Sequence, residues 1–366
     1  MSKLTDARER INDVDRKIAA LFTERLMAAT DIAEYKKERG LKIYDPAREA
    51  EVIAKNAALV EDETVRAYYI RFLEETMAVS RAWQDRLMEG MKVAYSGTEG
   101  AFAHIAASRL FPTARLLPYP DFESAYRAVE DGGCDAVVLP IENSYNGEVG
   151  QVTDLLFSGS LYINAVTELE ITQDLLGVKG ATLADIREVL SHPQALGQCA
   201  QFIHENGFAE KQYSNTALAA KYVAERGDRS LGAIASAEAA RIFGLEVIAR
   251  GINASRSNTT RFAVLSRTEH RRSTKESGVS SILLFSVRNE AGALAKAIDI
   301  IGRHGFNMHV LRSRPMKTLI WQYYFYVEAE GNLHTDEGRA MLEELSRYCD
   351  RLKAVGTYTK EASPSV

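Results

Sequence analysis

The stretch LTDARERINDVDRKIAALFTERLMAATDIAEY, residues 4–35, decides the fold of the first part of the chain. Its apolar and small side chains recur at alternating intervals of three and four residues, which places them on one stripe of a continuous helix. The stripe consists of Leu4, Ala7, Ile11, Val14, Ile18, Leu21, Ala28, Ile32 and Tyr35. Arg25 stands on the same stripe, where the pattern requires an apolar residue. We therefore predict a long helix whose apolar stripe carries one cation.

The position of Arg25 has two interpretations. A buried guanidinium group costs several kcal/mol unless an anion meets it. Arg25 therefore either extends to solvent or pairs with a nearby glutamate, or it faces an anionic ligand. Arg8 and Lys36 lie on the shoulder of the same stripe, one position beyond Ala7 and Tyr35. Because three cations then border one seam, the second interpretation predicts a pocket for a small dianion.

The length and composition indicate a multidomain globular protein. A chain of 366 residues is long enough for two or three domains, and 46% hydrophobic with 26% charged residues is ordinary for this class. The net charge of −5 argues against a nucleic-acid-binding surface. The polar N-terminus predicts no export signal, and no apolar run approaches the roughly 20 residues of a membrane span. We expect a cytoplasmic protein.

The cysteines and histidines show no pattern typical of a metal site or a disulfide framework. Cys134, Cys199 and Cys349 form no CxxC pair, and the seven histidines form no HExxH motif. A GxGxxG run is also absent from the sequence, which argues against a dinucleotide-dependent dehydrogenase. We predict reduced, structural cysteines and no metal site.

Residues 1–90 are predicted to be all helical. The first helix ends at Gly40, because glycine commonly ends helices in the left-handed conformation. Asp45 followed by Pro46 is typical of a helix start, and this second helix extends to about Leu59. A third helix carries one face formed by Val65, Tyr69, Phe72, Thr76, Val79 and Trp83. A first helix this long cannot bury its stripe within so few residues, so we expect an intertwined dimer.

Two further domains are expected. Residues 91–267 alternate short β-type runs with helical runs, which is typical of an α/β fold, and their length indicates two lobes with a cleft, as in periplasmic binding proteins. A hydrophilic linker over residues 268–277 closes this part. Residues 278–358 show the order strand, helix, strand, strand, helix, strand of an α+β ferredoxin-like fold. The predicted elements include a helix over Gln194–Glu205 and a strand over Leu319–Glu328.

Eight polar positions on the three predicted helices resemble the pattern of the all-helical chorismate mutases. They are Arg8, Arg25, Lys36, Asp45, Arg48, Glu49, Ser80 and Gln84. The resemblance implies a Claisen rearrangement of chorismate, a dicarboxylate, through a compact pericyclic transition state. Such a reaction needs no nucleophile and no cofactor. It needs the substrate held in a chair-like conformer and stabilisation of the charge that builds on the ether oxygen.

The resemblance assigns catalytic roles to Arg8, Arg25, Lys36, Arg48, Glu49 and Gln84. Arg8 and Arg25 would clamp the two carboxylates of the substrate. Arg8 would do so in the pocket of the partner subunit, which agrees with an intertwined dimer. Lys36 and Gln84 would donate hydrogen bonds to the ether oxygen.

The remaining positions of the pattern would contact the substrate through hydrogen bonds rather than ion pairs. Glu49 would accept a hydrogen bond from the ring hydroxyl of chorismate. Asp45 and Ser80 would contact the substrate under the same resemblance. Alternatively, Asp45 is only a helix cap and Ser80 only a helix-surface residue.

Four runs in residues 91–267 resemble motifs of the prephenate dehydratases and occur in that family's order. They are YSGTEGAFAH (Tyr95–His104), LPIENS (Leu139–Ser144), SHPQALGQC (Ser191–Cys199) and NTTRF (Asn258–Phe262). Each run falls at a strand end or a helix start, where an α/β cleft gathers its ligand groups. The resemblance implies that prephenate loses carbon dioxide and its ring hydroxyl to form phenylpyruvate.

This reaction needs a hydrogen-bond donor at the leaving hydroxyl, and cations or backbone N–H groups for the carboxylates. The resemblance assigns the donor to Thr260. Arg261 would anchor a carboxylate or brace its loop, and Glu142 is a candidate acid. His192 is an alternative acid, although a histidine before proline at a helix start is often structural. The expected polar positioning residues are Asn143, Thr172, Ser191 and Gln198.

Residues 278–358 resemble an ACT regulatory domain. The glycine-started helix at residues 292–294 matches the helix whose N-terminus meets the effector in phenylalanine-responsive members. A second motif departs from that family, because Arg312 stands where those members carry glutamate in Glu-Ser-Arg-Pro. A charge reversal beside the site of a zwitterion could move or abolish effector binding. The expected effector contacts are Gly292, Ala293, Leu294, Arg312 and Ser313.

The combined interpretation is a bifunctional enzyme of phenylalanine biosynthesis. It would act on chorismate and then on prephenate, under feedback control by phenylalanine, as a homodimer or larger homo-oligomer without nucleic-acid or membrane partners. Two alternatives stay open: a prephenate decarboxylase that does not aromatise its product, and a solute-binding or amino-acid-sensing protein. The intact NTTRF run argues against the first, and the cation-lined helix argues against the second.

Overall fold

The computed structural model describes residues 3–254, 258–271, 273, 278–316 and 322–359. The chain divides into two compact units, Met1–Met91 and Lys92–Val366. No helix in the described part of the chain combines the length and the apolar character needed to cross a membrane.

The first unit is helical, as predicted. Its helices are α1 (Lys3–Glu38), α2 (Pro46–Ala57) and α3 (Glu63–Glu89). Helix α2 begins where the sequence predicts, because the Asp45 side chain accepts a hydrogen bond from the backbone N–H of Arg48 at 3.1 Å. Helices α1 and α3 pack together, and the indole N–H of Trp83 donates to Thr30 Oγ1 at 2.9 Å.

The apolar stripe of α1 is exposed within a single chain, as the length of the helix leads us to expect. Ile11 is 59% exposed, Leu21 64% and Ile32 48%. Helix α1 packs on α3 through a neighbouring face, where Ala29 and Ala33 are buried. The stripe therefore has no cover within the unit.

The second unit opens with an α/β region. Its elements are β1 (Lys92–Ser96), α4 (Phe102–Leu110), β2 (Arg115–Tyr119), α5 (Phe122–Glu130), β3 (Ala136–Asn143), β4 (Gly147–Glu148), α6 (Gly150–Ser158), β5 (Tyr162–Glu170), β6 (Asp174–Gly177), β7 (Glu188–Ser191), α7 (Pro193–Gln198), α8 (Ala200–Glu205), β8 (Ala209–Gln212), α9 (Thr216–Arg226), β9 (Leu231–Ala235), α10 (Ala237–Phe243), β10 (Glu246–Ala249) and β11 (Thr259–Ser266). The helix predicted over Gln194–Glu205 is two helices, because the backbone at Cys199 leaves the helical conformation.

These elements form two lobes, as predicted. The first lobe contains the sheet β2-β1-β3-β11-β5 with β4 beside β3, and the second contains the sheet β10-β6-β9-β7-β8. Strands β1, β2 and β3 are parallel, whereas β11 runs antiparallel to β3 and β5. The chain crosses between the lobes at residues 171–173 and again between β10 and β11. A cleft between the lobes is therefore bordered by both crossings.

The remaining elements follow the predicted ferredoxin-like order. They are β12 (Val279–Val287), α11 (Ala293–Arg303), β13 (Asn307–Pro315), β14 (Tyr323–Glu330), α12 (Asp336–Ser346) and β15 (Cys349–Thr359). The sheet order is β13-β14-β12-β15, and we call this the C-terminal sheet. The start of the strand predicted over Leu319–Glu328 and much of the predicted linker lie outside the described residues.

The C-terminal sheet packs directly on the first lobe. Ile282, Tyr326 and Val355 belong to the same buried cluster as Leu139 and Ile163 of that lobe. Strand β15 approaches β5 so closely that a Cβ atom at residue 356 would lie 2.0 Å from the carbonyl oxygen of residue 163, which explains the glycine there. The first lobe and the C-terminal sheet thus share one core.

Candidate active sites

Arg25 contacts α3 through its guanidinium group. The group donates hydrogen bonds to Ser80 Oγ and to the carbonyl oxygen of Thr76, the latter at 3.3 Å. Ser80 is 5% exposed, so it is not a helix-surface residue. The predicted cation of α1 and the predicted serine of α3 therefore meet in one polar site between these helices.

Gln84 lies one helical turn beyond Ser80 on the same face of α3. Only 8% of its surface is exposed, and its side-chain oxygen Oε1 has no hydrogen-bond partner among the described residues. Leaving a buried amide oxygen unpaired costs about 1–3 kcal/mol. The amide is therefore available to a ligand beside Arg25.

Two other predicted residues of this site have partners within the chain. Lys36 Nζ donates to the carbonyl oxygen of Ile43 at 2.6 Å. Glu49 accepts a hydrogen bond from Arg81, a residue of α3 that the sequence patterns did not single out. Arg81 directly follows Ser80, so it adds a further cation to the border of the site. Its signal in the sequence is weak because charged residues are common on exposed helix faces.

Arg8, Asp45 and Arg48 are exposed in the single chain. Asp45 caps α2, which is the alternative that the sequence left open for it. The guanidinium group of Arg48 pairs with Glu51 at 2.7 Å on the outer side of α2. The single chain thus brings Arg25, Ser80 and Gln84 together. Arg8, Asp45 and Arg48 lie outside that group.

The second candidate site is the cleft between the two lobes, a cavity of about 580 Å³. Three predicted site residues line it: Asn143, Gln198 and Thr260. All three are at least nine-tenths buried. They come from three separate elements, since Asn143 ends β3, Gln198 ends α7 and Thr260 lies at the start of β11. The fold therefore assembles them from three of the four recognised sequence runs.

These side chains form a continuous hydrogen-bond chain through Asn258. The side-chain amide of Asn258 donates to Gln198 Oε1 at 3.1 Å. The amide of Asn143 donates to Asn258 Oδ1 at 2.8 Å and to Thr260 Oγ1 at 2.9 Å. Because the Thr260 oxygen accepts this bond, its own O–H hydrogen remains for a donor role. The geometry suits a hydroxyl that donates to a ligand in the cleft.

Gln173 is a cleft residue that the sequence patterns missed. It is 3% exposed, lines the cavity, and its Oε1 has no hydrogen-bond partner among the described residues. Its backbone is held on both sides, since its N–H donates to Asn253 Oδ1 at 3.0 Å and its carbonyl accepts from Ile252 at 2.9 Å. A buried acceptor on a fixed backbone is available to a hydrogen-bond donor of the ligand.

Helix N-termini supply the positive potential of the cleft. Helices α4 and α6 both begin at its wall, and neither has a side-chain cap on its first N–H groups. The described residues that line the cleft include no lysine and no arginine. Free N–H groups at a helix start bind carboxylates well. A dicarboxylate in this cleft would therefore meet backbone N–H groups and neutral amides, beside one lining carboxylate, Asp121, which caps α5.

Two family models match separate segments of the chain. Residues 7–85 match chorismate mutase type II, and residues 93–270 match prephenate dehydratase. A bifunctional chorismate mutase/prephenate dehydratase of Neisseria gonorrhoeae is 32% identical over 358 residues, covering 96% of this chain and 95% of the relative. The chain belongs to this bifunctional family. It is therefore an enzyme with a mutase region, the first unit, and a dehydratase region, the two-lobed part.

Two solved structures resemble the second unit. A prephenate dehydratase of Arthrobacter aurescens, in complex with L-Phe, superimposes with a TM-score of 0.69 at 26% identity, covering 75% of this chain and 92% of that one. GqqA, described as a novel type of quorum-quenching acylase, superimposes with a TM-score of 0.68 at 32% identity, covering 74% and 98%. The shared fold includes both lobes and extends beyond them, since these relatives cover about three quarters of the chain.

Several residues predicted for the dehydratase cleft lie elsewhere. Ser191 is fully buried and donates to the carbonyl oxygen of Ile234 at 2.5 Å, so its role in the structure is to join β7 to β9. Thr172 lines a separate cavity of about 770 Å³. Its neighbour Gln173 takes the cleft position instead. Successive residues of an extended chain point to opposite sides, which explains the exchange.

Glu142 and Arg261 are absent from the described lining of the cleft. They pair with each other at 3.1 Å on the opposite side of the first sheet. Arg261 is therefore turned away from a ligand carboxylate, and it lies in strand β11 rather than in a loop. Glu142 is bound by a second arginine, Arg312, which leaves it poorly suited to act as an acid in the cleft.

His192 does line the cleft. Burial lowers the pKa of its imidazole, which favours the neutral form. Its Nδ1 accepts a hydrogen bond from the backbone N–H of Gln194 at 3.2 Å, so it caps α7. A neutral, capping histidine is a structural part of the wall, and Thr260 stays the better donor.

The described residues of both regions contain no cluster of three or more histidine, cysteine, aspartate or glutamate side chains that could hold a metal ion. The three cysteines are free. Burial raises the pKa of Cys199 to about 12, so this thiol is uncharged at neutral pH.

The expected effector residues divide between two faces. Gly292 has a φ of 83° and precedes α11, whose first residues Ala293 and Leu294 are half-buried. Arg312 pairs with Glu142 of the dehydratase region, whereas Ser313 is exposed on the other face of β13. The side chain of Arg312 is therefore engaged by the first lobe.

Proposed function

We propose that the chain catalyses two consecutive reactions, each in its own region. Residues 1–90 rearrange chorismate to prephenate, and residues 91–267 convert prephenate to phenylpyruvate. The observation that carries this proposal is the match of two family models to segments that each contain a separate polar site. The test is to supply purified protein with chorismate or with prephenate and to follow both products by ultraviolet absorbance.

The mutase step needs charge and shape rather than a reactive group. Chorismate breaks one ether C–O bond and forms one C–C bond in a single concerted step. Arg25 holds a carboxylate, while Lys36 and Gln84 donate to the ether oxygen as it gains charge. The buried position of Gln84, one helical turn from the serine that Arg25 contacts, supports this assignment, and its unpaired Oε1 is a separate acceptor for the ligand. Glu49 is oriented by Arg81 towards the ring hydroxyl.

The dehydratase step is a fragmentation. The bond from the ring to its carboxylate breaks, the electron pair enters the ring, and the C–O bond opposite breaks as the hydroxyl leaves. Thr260 donates a hydrogen bond to the leaving oxygen, which takes up one proton from the solvent and departs as water. Asn143 fixes the Thr260 hydroxyl, and Gln198 orients Asn143 through Asn258. Aromatisation provides the driving force.

A second copy of the chain covers the α1 stripe in this proposal. Seven apolar stripe residues from Leu4 to Tyr35 are between 43% and 64% exposed. A row of this length is the seam of an intertwined helical dimer. Arg8, exposed beside the row, would then enter the partner's mutase site. The test is light scattering on the full chain and on the Ile11→Glu variant, whose mass in solution should be lower. The variant should also lose mutase activity but keep dehydratase activity.

The C-terminal sheet and its helices form an ACT-type regulatory domain, residues 278–358, that binds phenylalanine. The element order and the uncapped, glycine-started α11 support this, and one relative of similar fold was solved with L-Phe. The effector contacts are Gly292, Ala293, Leu294 and Ser313. The test is the dehydratase rate against phenylalanine concentration for the wild-type protein and for Gly292→Val.

The name of GqqA suggests amide hydrolysis as a second activity. Acyl transfer by an enzyme without a metal needs a nucleophile activated by a base. The described cleft holds the hydroxyl side chains Ser96, Ser214 and Thr260, and its histidine, His192, hydrogen-bonds to Gln194. Since this histidine is a cap rather than a base for a serine, the geometry favours the dehydratase function.

A further inference from the structure

The first sheet of the dehydratase region has one face on the cleft and one on the C-terminal sheet. Strands β3 and β11 are paired so that Thr260 lies opposite Asn143 and Arg261 lies opposite Glu142. Because successive side chains of a strand point to opposite faces, each cleft residue has a charged neighbour on the far face. The two pairs are therefore adjacent in sequence and separated by the sheet.

The far-face pair is held by residues of the C-terminal sheet. Glu328 of β14 binds the guanidinium group of Arg261 in a bidentate arrangement, with distances of 2.7 and 3.0 Å. Tyr358 of β15 accepts a further hydrogen bond from Arg261 at 2.8 Å. Arg312 of β13 pairs with Glu142. All three contacts cross from one part of the fold to the other.

These four charges form one continuous, balanced chain of ion pairs. Two arginines alternate with two glutamates, and Arg261 contacts both carboxylates. Glu328 is 3% exposed and also accepts from the hydroxyls of Tyr326 and Tyr358. Burial acts to raise the pKa of Glu328, but the hydrogen bonds and charge of Arg261 outweigh it and hold that pKa below its usual value. Glu328 is therefore ionised at neutral pH, and its bidentate contact fixes the position of Arg261.

We propose that Glu328 and Arg312 are positioning residues of the dehydratase. Through Arg261 and Glu142 they hold the ends of β11 and β3 in register, and so they set the position of the Thr260 hydroxyl and the Asn143 amide in the cleft. The proposal rests on the role assigned to Thr260 above. It gives the C-terminal sheet a part in the chemical step even when no effector is bound.

The ion pairs to the C-terminal sheet lie close enough to the Thr260 hydrogen bond to affect its geometry. The 2.9 Å hydrogen bond from Asn143 to Thr260 joins the same two strands one residue away from the Glu142–Arg261 pair. A change in the relative position of the strands therefore moves both partners of the Thr260 hydrogen bond. A displacement of about 1 Å at a reacting group can cost on the order of 10²-fold in rate.

The experiment measures kcat and KM for prephenate on full-length variants, with mutase turnover as an internal measure of folded protein. Glu328→Gln keeps the shape of the side chain but removes its charge. We expect dehydratase kcat to fall about 10- to 100-fold. We expect KM to change much less, because the groups that contact the substrate remain in the cleft. Mutase turnover should equal that of the wild type.

A cycle of single and double variants tests the second pair. Arg312→Gln and Glu142→Gln should each lower dehydratase kcat, because each removes a partner of the Arg312–Glu142 pair. Since Arg312 acts through Glu142, adding Arg312→Gln to Glu142→Gln should lower kcat by less than about twofold further, the sign of a direct coupling. This cycle keeps the test open if Glu328→Gln does not fold.

Arg314→Gln is the matched control. Arg314 lies two residues from Arg312 on the same face of β13 and also crosses to the first lobe, where it binds Asp154 at 3.0 Å. Asp154 is in α6, and Arg314 also binds Glu148 of β4 at 3.3 Å, so this substitution loosens the same boundary without removing a partner of Glu142 or Arg261. If Arg314→Gln lowers dehydratase kcat as much as Glu328→Gln, the effect is general loosening and the proposal is overturned.

Two further results would overturn the proposal: full kcat in folded Arg312→Gln and Glu328→Gln, or fully additive losses in the double variant of Arg312→Gln and Glu142→Gln. Additivity with Thr260→Ser gives the last check. If Glu328 acts through Thr260, the two substitutions should be strongly non-additive in kcat. A wild-type protein that does not convert prephenate would instead refute the proposed function, so the two failures are distinguishable.

Discussion

The two candidate active sites offer their dianionic substrates different chemical groups. The mutase region presents cationic side chains, Arg25 and Lys36, and Arg8 is exposed on the same helix as both. The described lining of the dehydratase cleft presents amides, hydroxyls, helix N-termini and the carboxylate of Asp121, but no lysine or arginine. The difference follows the fate of the carboxylates. The rearrangement keeps both, so tight ion pairs do no harm, whereas the dehydration expels one as carbon dioxide.

An ion pair on the departing carboxylate would stabilise the substrate more than the transition state, in which the charge has left that group. A cleft without lysine or arginine among its described lining residues avoids this penalty and still orients the molecule. The presence of cationic side chains in each site therefore corresponds to the fate of the substrate's carboxylates. It does not simply follow the net charge of the substrate. Four predictions test this contrast between the two sites.

The largest effect is expected for Thr260→Ala. Removing one donor at a developing charge should lower dehydratase kcat by on the order of 10³-fold. Mutase turnover should be unchanged because Thr260 lies in a different unit. Thr260→Ser keeps the hydroxyl and should retain measurable activity in the phenylpyruvate assay. Equal loss in the Ala and Ser variants would mean that the methyl group, not the donor, matters.

Arg25→Ala should lower mutase kcat by about 10²-fold, the usual scale for one preorganised charge contact. Dehydratase activity with supplied prephenate should survive. Arg16 is a matched control on the same helix, since its side chain is 72% exposed. Near-normal mutase turnover in folded Arg25→Ala, or an equal loss in Arg16→Ala, would show that Arg25 does not bind a substrate carboxylate.

Gln173→Leu should lower dehydratase kcat/KM about 10-fold, which is roughly 1.4 kcal/mol and the scale of one hydrogen bond. The ring hydroxyl is the sole donor on prephenate, so the unpaired Gln173 Oε1 is expected to accept from it. Gln201→Leu, at an exposed glutamine of α8, is the control. Full activity of Gln173→Leu would leave the buried oxygen without a catalytic explanation.

The smallest effect is a difference in salt dependence. Raising the ionic strength from about 0.05 M to about 0.5 M shortens the screening length from roughly 14 Å to roughly 4 Å. The KM for chorismate should then rise several-fold, because its site uses charged side chains. The KM for prephenate should change less than about twofold. Equal salt dependence of the two KM values would contradict the contrast between the sites.

The mutase site was more accessible to sequence analysis than the dehydratase site. A cation on an apolar stripe is visible because helical periodicity fixes which residues share a face. The exposed stripe and the meeting of Arg25 with Ser80 agree with that analysis. Arg81, the partner of Glu49, was missed because only tertiary packing of α2 on α3 brings the two together.

The dehydratase cleft depends on long-range contacts that no local pattern records. The Asn143–Asn258 hydrogen bond joins residues 115 positions apart. Thr172 was predicted where Gln173 lies, and Arg261 was predicted either to anchor a substrate carboxylate beside Thr260 or to brace its loop. Both differences are shifts of one residue, which invert the face of an extended chain. Motifs locate such a site to within a few residues, and the strand register decides which of them enter it.

One chain carries two separate active sites in this description, and assays of the two half-reactions on matched variants test that separation. Both half-reactions are assayed, from chorismate and from prephenate, on wild type, Arg25→Ala and Thr260→Ala under the same conditions. The account predicts reciprocal losses: Arg25→Ala loses only the mutase step and Thr260→Ala only the dehydratase step. A folded variant that loses both steps, or loses the opposite one, would contradict it.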